Sequence, residues 1–181
     1  MIRYLISNNS VDIIILIFFS FFINFYYSNI GVLPQDTFAY YDTAFRILNG
    51  AIPFKDYWTV SGPVIDYIQS LFFYFFGVNW KVYTLNGSVI NCLITLTLYS
   101  LLKTYNLKRG LNFFYCFCFS VLANPSMGVA FPDHYSTFFS LIAVFLFLIT
   151  IKVDKKIFWY LIPFLFFLAF FSKQSPSSYI F

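Results

Sequence analysis

Charge is scarce in this chain, and one charged residue type is missing altogether. Charged side chains make up 10% of the 181 residues, and the acidic ones are all aspartates, with no glutamate. A soluble domain usually carries about 25% charged residues. Hydrophobic residues reach 60% instead, and the mean hydropathy is +0.76. This balance excludes a soluble domain and predicts an all-α integral membrane protein.

Cysteine and histidine are scarce as well. The three cysteines, Cys92, Cys116 and Cys118, lie inside apolar runs without the Cys-x-x-Cys spacing of many metal sites, so we interpret them as buried thiols. His134 is the only histidine. The net charge of +4 is small and scattered, which gives no indication of nucleic-acid binding. The abundant residues are 28 Phe and 15 Tyr, which suit lipid-facing helices and interfacial belts.

Long apolar runs occur at about 12–30, 82–102, 110–124, 135–151 and 157–172. A bilayer core about 30 Å thick needs about 20 residues of helix, so the shorter runs need flanking residues to cross it. No small-x-small cleavage motif follows the first run, which therefore predicts an uncleaved membrane helix. The pattern predicts five transmembrane helices in a single transmembrane domain over 1–181.

A further run, 63–77, is ambiguous because it contains Asp66 and Gln69. If this run lies on the surface, seven of the eleven basic residues share one side of the membrane; if it spans, that bias collapses. Basic residues concentrate on the cytoplasmic side, so the surface position is favoured. The N-terminus is then cytoplasmic, and the outer side holds the loops 31–81 and 124–134.

The first outer loop is itself patterned. Apolar residues between 38 and 48 recur at i, i+3, i+7 and i+10, which predicts an amphipathic surface helix over 36–49. Asn49-Gly50 is a typical helix C-terminal stop. Asp36 stands at the N-terminus of this helix, where it serves either as a helix cap or as a functional carboxylate. A second interfacial helix is expected over 63–77.

Several short motifs follow one another in this loop: Leu-Pro-Gln-Asp36-Thr-Phe-Ala-Tyr-Tyr, Arg46-Ile-Leu-Asn-Gly-Ala-Ile-Pro, Lys55-Asp-Tyr-Trp, and Gly62-Pro63 before a helix that ends in Phe-Phe-Gly77. Their order resembles the N-terminal part of the GT-C membrane glycosyltransferases. The resemblance is to the branch that holds protein O-mannosyltransferases, of the dolichyl-phosphate-mannose type, and bacterial aminoarabinose transferases of lipid A. Two later motifs, Phe131-Pro-Asp133-His134 and Phe171-Ser-Lys173-Gln, stand where that family places an acidic residue and a lysine.

The resemblance implies transfer of a sugar from a polyprenyl-phosphate-linked donor to an acceptor glycan, lipid or protein at the outer membrane face. Asp36 would then be the catalytic base or would orient the acceptor hydroxyl. Asp133 would support the site through a metal or a donor contact, and Lys173 would offer positive charge to the carrier phosphate. The resemblance is compatible with a divalent metal as cofactor but does not require one.

His134, Lys55 and Asp56 complete the residues that the resemblance assigns to the donor or its pocket. Each assignment has a plainer alternative. Asp133 is also suited to cap the fourth span, His134 to an interfacial position, and Lys173 to snorkelling at a helix end. The family often has an acidic residue or histidine and then lysine just before Pro63, whereas this chain has Thr59-Val-Ser-Gly62, which puts metal dependence in question.

GT-C enzymes usually have about twice as many spans, so we expect this chain to be the N-terminal portion of a larger module. The alternative function is a non-catalytic multi-pass membrane protein, such as a transporter subunit or an assembly partner. A transporter more often carries ionisable residues at mid-membrane depth, whereas charges here avoid the span centres. The frequent Phe, Ile, Asn and Lys are typical of an AT-rich bacterial genome and favour a bacterial inner membrane.

Overall fold

A computed structural model describes residues 2–31, 34–59, 61–123, 129, 131–153 and 155–178, and side chains within these ranges except 2–9, 34–36 and 176. This part of the chain is helical, without a β-strand. Its helices are α1 (Ile2–Tyr27), α2 (Pro34–Leu48), α3 (Val64–Phe76), α4 (Trp80–Thr104), α5 (Arg109–Leu122), α6 (Pro132–Val153), α7 (Lys156–Ser172) and α8 (Gln174–Ser178).

Three helices are long and apolar enough to cross a membrane. They are α1 from Ser10 onwards, α4 and α6. Helices α3, α5 and α7 are apolar but shorter. A helix satisfies its backbone hydrogen bonds internally, which is what the hydrocarbon core of a bilayer demands. The predicted class, a helical membrane protein, is therefore confirmed, while the predicted count of five spans stays a prediction.

One end of the bundle is joined by contacts among α1, α4, α5 and α6, and we call it the basic end. Arg109 at the start of α5 donates from Nε and Nη2 to the two carboxylate oxygens of Asp12, at 2.7 and 2.8 Å. The hydroxyl of Tyr99 in α4 donates to the same carboxylate at 3.3 Å. Tyr105 follows α4 and donates to the carbonyl of Leu148 in α6 at 3.2 Å. The ends of α4 and α6 therefore lie together with the start of α5.

The opposite end, which we call the pocket end, contains α2, α3, the connecting residues 49–59 and 61–63, and the end of α7. Tyr83, near the start of α4, donates to the carbonyl of Thr37 in α2 at 2.9 Å. The amide of Gly62 donates to the carbonyl of Ser172, the last residue of α7, at 3.1 Å. Ser136 in the first turns of α6 donates to the carbonyl of Lys173 at 2.8 Å. The described parts of the predicted outer loop 31–81 thus meet the start of α6 and the end of α7 at one end.

Buried amides and hydroxyls join α1, α4 and α5 along their length. Asn91 Nδ2 donates to the carbonyls of Ser20 and Ser120, at 2.8 and 3.2 Å, and thereby links three helices. Asn24 Nδ2 donates to the hydroxyl of Ser88 at 3.0 Å. Small polar residues at helix interfaces let backbones approach closely and supply hydrogen bonds between helices in an apolar surrounding.

The cysteines lie in these same helices. Cys92 and Cys116 are buried free thiols, and Cys118 is a half-buried free thiol. The prediction of buried thiols is confirmed for Cys92 and Cys116, whereas Cys118 is only half-buried.

Candidate functional site

Asp133 and Lys173 form an ion pair at the pocket end, although 40 positions separate them in the sequence. Lys173 Nζ lies 2.8 Å from Asp133 Oδ1 and 2.9 Å from Oδ2. Asp133 stands in the first turn of α6, while Lys173 follows the last residue of α7, so the two helix ends bring the side chains together. Both side chains remain a little more than one third exposed, at 38% and 37%. The pair is therefore accessible to a ligand.

A cavity of about 430 Å³ lies beside this pair, between the described residues of the loop before α3 and the end of α7 with the residues that follow it. Its walls are Phe54, Trp58, Thr59, Ser61, Gly62 and Pro63 on one side and Phe170, Phe171, Lys173, Gln174 and Ser175 on the other.

Gly62 permits the close approach that forms one wall of this cavity. A Cβ atom at this position would clash with the carbonyl oxygen of Phe171, which belongs to the helical backbone of α7. The Gly62 amide already binds the next carbonyl, that of Ser172. Any larger residue would push position 62 and its described neighbours Ser61 and Pro63 away from α7, so glycine is required here by contact rather than by backbone conformation.

The polar groups of the cavity are suited to oxygen-rich anions. Lys173 supplies an ammonium group with three donor protons, and Gln174 and Ser175 lie next to it on the wall. Ser61 is only 9% exposed, and its hydroxyl has no hydrogen-bond partner among the described residues. A buried hydroxyl without a partner is energetically costly. The rings of Phe54 and Trp58 form the apolar remainder of the wall.

Lys55 and Asp56 do not line this cavity. Both are exposed in a tight turn, where Asp56 Oδ2 accepts a hydrogen bond from the amide of Ile52 at 2.8 Å. The carboxylate of Asp56 therefore stabilises the turn. Their neighbours Phe54 and Trp58 line the cavity instead, and the predicted part of Lys55 and Asp56 in donor binding stays a prediction.

His134 is half-buried beside two aromatic rings. Its ring centroid lies 5.9 Å from that of Phe131 and 6.3 Å from that of Phe138, and its Nδ1 has no hydrogen-bond partner among the described residues. It does not line the cavity. Within the described part of the chain, no three His, Cys, Asp or Glu side chains lie close enough together to hold a metal ion. The carboxylate of Asp133, the neighbour of His134, is paired with a lysine instead.

Asp36 lies in the first turn of α2, and its side chain is outside the described residues. The contacts of α2, the helix that carries Asp36, are nonetheless described. One turn further along, the ring of Tyr40 packs edge-on against Phe131, with 5.8 Å between centroids, immediately before the start of α6. Helix α2 is thus a neighbour of the element that carries Asp133.

Asp66 is a buried carboxyl that the sequence placed on the surface with the rest of 63–77. Thr43 Oγ1 in α2 donates to Asp66 Oδ1 at 2.7 Å, and the Tyr57 hydroxyl donates to Oδ2 at 3.4 Å. Burial raises the pKa of Asp66 to about 6, and these two hydrogen bonds oppose the shift. One carboxyl therefore links α3 to α2 and to Tyr57, whose neighbours Phe54 and Trp58 line the cavity.

A local pattern in the sequence indicates that Asp66 lies on a buried face of α3. Asp66, Gln69 and Ser70 are spaced at i, i+3 and i+4 in an otherwise apolar helix, so they share a face, and all three are buried. Gln69 Oε1 accepts a hydrogen bond from Asn86 Nδ2 of α4 at 2.9 Å.

No protein-family model, curated protein or solved structure matches the chain. The chemistry of the site therefore has to be argued from these residues.

Proposed function

We propose that this chain is a GT-C-type glycosyltransferase, or the N-terminal portion of one, which transfers a sugar from a polyprenyl-phosphate carrier to an acceptor at the outer face of a bacterial inner membrane. The observation that carries the proposal is the position of Lys173, which lines a cavity while Asp133 holds its ammonium group. A phosphate that leaves the sugar needs compensating positive charge in the transition state. Lys173 is suited to supply it.

In the proposed topology the N-terminus is cytoplasmic, five helices cross the membrane, and α2 and α3 lie in the outer interface. The distribution of charge supports this orientation. Six basic residues belong to the basic end: Lys103, Lys108, Arg109, Lys152, Lys155 and Lys156. Helices α5 and α7, with 14 and 17 residues, would cross with the help of flanking residues.

The proposed place of α3 is supported by its exposed side chains. Tyr67, Leu71, Tyr74 and Phe75 are exposed on the face opposite Asp66 and Gln69. Aromatic and aliphatic side chains of this kind favour the boundary between lipid and water.

In the proposed reaction, a hydroxyl oxygen of the acceptor attacks the anomeric carbon of the carrier-linked sugar. The bond between that carbon and the phosphate oxygen breaks, and the phosphate leaves with the electron pair. Asp36 accepts the proton of the acceptor hydroxyl. Lys173 stabilises the charge on the departing phosphate, and Asp133 orients the ammonium group of Lys173 at the cavity.

The test compares two lysines of the pocket end in one assay. Membranes that contain the chain would be given undecaprenyl-phosphate mannose or undecaprenyl-phosphate aminoarabinose, and release of undecaprenyl phosphate would be measured. We expect Lys173→Gln to lower kcat by about a hundredfold, the order seen when one transition-state donor is removed. Lys81→Gln is the control, because Lys81 is exposed at the start of α4 and does not line the cavity.

Equal activity of the two variants would contradict the proposed role of Lys173 in the reaction. No release from either donor by the wild-type chain would favour the non-catalytic alternative, a transporter subunit or an assembly partner.

A further inference from the structure

Lys173 lies at a break between two helices. Helix α7 ends at Ser172, α8 begins at Gln174, and the backbone of Lys173 between them is extended. The last carbonyl groups of a helix have no partner within it, so they need donors from elsewhere. The amide of Gly62 serves the carbonyl of Ser172, at 3.1 Å. The position of the break therefore depends on donors that other elements supply.

The carbonyl of Lys173 has its own donor. The hydroxyl of Ser136 in α6 donates to this carbonyl at 2.8 Å. Ser177 Oγ also lies 3.2 Å from the Lys173 carbonyl oxygen, but it is closer to the Gln174 carbonyl oxygen, at 2.9 Å. A serine hydroxyl has one proton to donate, so Ser136 makes the stronger hydrogen bond to Lys173.

Helix α6 thus holds Lys173 at two points. Asp133 and Ser136 are three positions apart in the first turns of α6, so their side chains are neighbours on that helix. Asp133 binds the ammonium group of Lys173, and Ser136 binds its carbonyl oxygen. Ser136 is fully buried and does not line the cavity, so it would act on a ligand there through Lys173.

We propose that Ser136 is a positioning residue for Lys173, because its hydroxyl fixes the backbone at the break from which Asp133 directs the ammonium group to the cavity. The purpose of this placement, contact with a departing phosphate, rests on the proposed function. The lysine side chain is a flexible four-carbon stem, so its charge is well placed only when the backbone is held as well.

Ser140 provides a matched control in the same helix. It lies one turn after Ser136 and is fully buried as well, but its hydroxyl has no hydrogen-bond partner among the described residues. Each serine-to-alanine substitution removes one oxygen atom from a buried position of α6. Ser136→Ala also removes the hydrogen bond to Lys173, so a difference between the two variants reports on that hydrogen bond.

The first measurement is sugar transfer from the two undecaprenyl-phosphate-linked donors. We expect Ser136→Ala to lower kcat about tenfold with little change in KM, because a group needed in the transition state is misplaced. Ser140→Ala should keep the wild-type values. In a chain that already carries Lys173→Gln, Ser136→Ala should have no further effect, because Ser136 acts through Lys173.

The second measurement needs no catalysis. The purified full chain in detergent is treated briefly with acetic anhydride, and mass spectrometry gives the extent of acylation at each lysine. The carboxylate of Asp133 covers the nitrogen of Lys173 on one side, so a loosened ion pair should react faster. We expect Ser136→Ala to raise acylation of Lys173 about threefold relative to the exposed Lys81, as the loss of a weak ion pair allows, and Ser140→Ala to leave this ratio unchanged.

A conservative variant and two folding checks complete the test. Ser136→Cys keeps a weak donor at this position, so it should fall between the wild type and Ser136→Ala in both measurements. Circular dichroism and size-exclusion profiles of the variants check that they fold as the wild type does.

The outcomes separate this role from the proposed function. Equal kcat values and equal acylation ratios in Ser136→Ala and Ser140→Ala would overturn the positioning role. A loss of rate on Ser136→Ala that persists in the Lys173→Gln background would also overturn it, because the loss would not pass through Lys173. Faster acylation of Lys173 in Ser136→Ala, in a chain that transfers no sugar, would retain the positioning role and contradict the glycosyltransferase.

Discussion

The two ends of the helical bundle each carry an ion pair between residues far apart in the sequence, and the pairs differ in exposure. At the basic end the Asp12 side chain is 12% exposed, is held by two hydrogen bonds from Arg109 and receives a third from Tyr99. At the pocket end the two side chains of the Asp133–Lys173 pair are each more than one third exposed beside a cavity.

This difference in side-chain exposure indicates the role of each ion pair. A nearly buried carboxylate that loses its partner is left uncompensated, so the Asp12–Arg109 pair fixes the positions of α1, α4 and α5. An exposed pair contributes little to stability, and its lysine stays available to a ligand. We therefore assign a structural role to the basic end and a binding role to the pocket end.

The largest effect on stability is expected at the pocket end, from Asp66. Its folded pKa of about 6 lies above the usual value of 3.8, so between these values the folded state holds a proton that the unfolded state has released. Stability contributed by this group is present below pH 3.8 and is lost as the pH rises through about 6. The total loss is about 3 kcal/mol, at about 1.4 kcal/mol per pKa unit.

Asp66→Asn removes this titration, so the variant should keep stability that the wild type loses between pH 4 and pH 6. Unfolding by detergent, measured at several pH values in that interval, gives the difference between the two chains. Asp42→Asn is the control, because Asp42 is exposed and paired with Arg46. Parallel pH profiles for the wild type and Asp66→Asn would show that Asp66 does not titrate in this interval.

A smaller effect is expected at the basic end. Arg109→Gln leaves the Asp12 carboxylate nearly buried without its cation, so it should lower the free energy of unfolding by more than Lys173→Gln does. Lys173→Gln should lower it by less than about 1 kcal/mol. Unfolding of the two variants under one condition compares the pairs directly, and equal losses would contradict the division of roles between the ends.

The sequence predicted local structure better than it predicted contacts. The helices expected over 36–49 and 63–77 appear as α2 (Pro34–Leu48) and α3 (Val64–Phe76), because helical spacing of apolar residues and the stops at Gly50 and Gly77 are local signals. Asp133 and Lys173 were both selected only through the resemblance, since nothing local relates residues 40 positions apart. Their pairing follows from the packing of α6 against α7.

Other parts of the site depend on tertiary contacts that no local pattern encodes. Asp66 was expected on the surface, yet α2 and Tyr57 cover it. The need for glycine at position 62 comes from the backbone of Phe171, more than 100 residues away. Ser61 was missed for the same reason, because a buried hydroxyl without a partner is visible only once its neighbours are placed.

Sugar transfer by Asp36→Asn, compared with Asp42→Asn, tests the central claim most directly. Both aspartates belong to α2, and Asp42 is already paired with Arg46 on the exposed surface of that helix. With release of undecaprenyl phosphate as the readout, Asp36→Asn should lose about a hundredfold or more of the rate while its insertion into the membrane is unchanged. Asp42→Asn should transfer sugar close to the wild-type rate. Transfer by Asp36→Asn at the rate of Asp42→Asn would contradict the account.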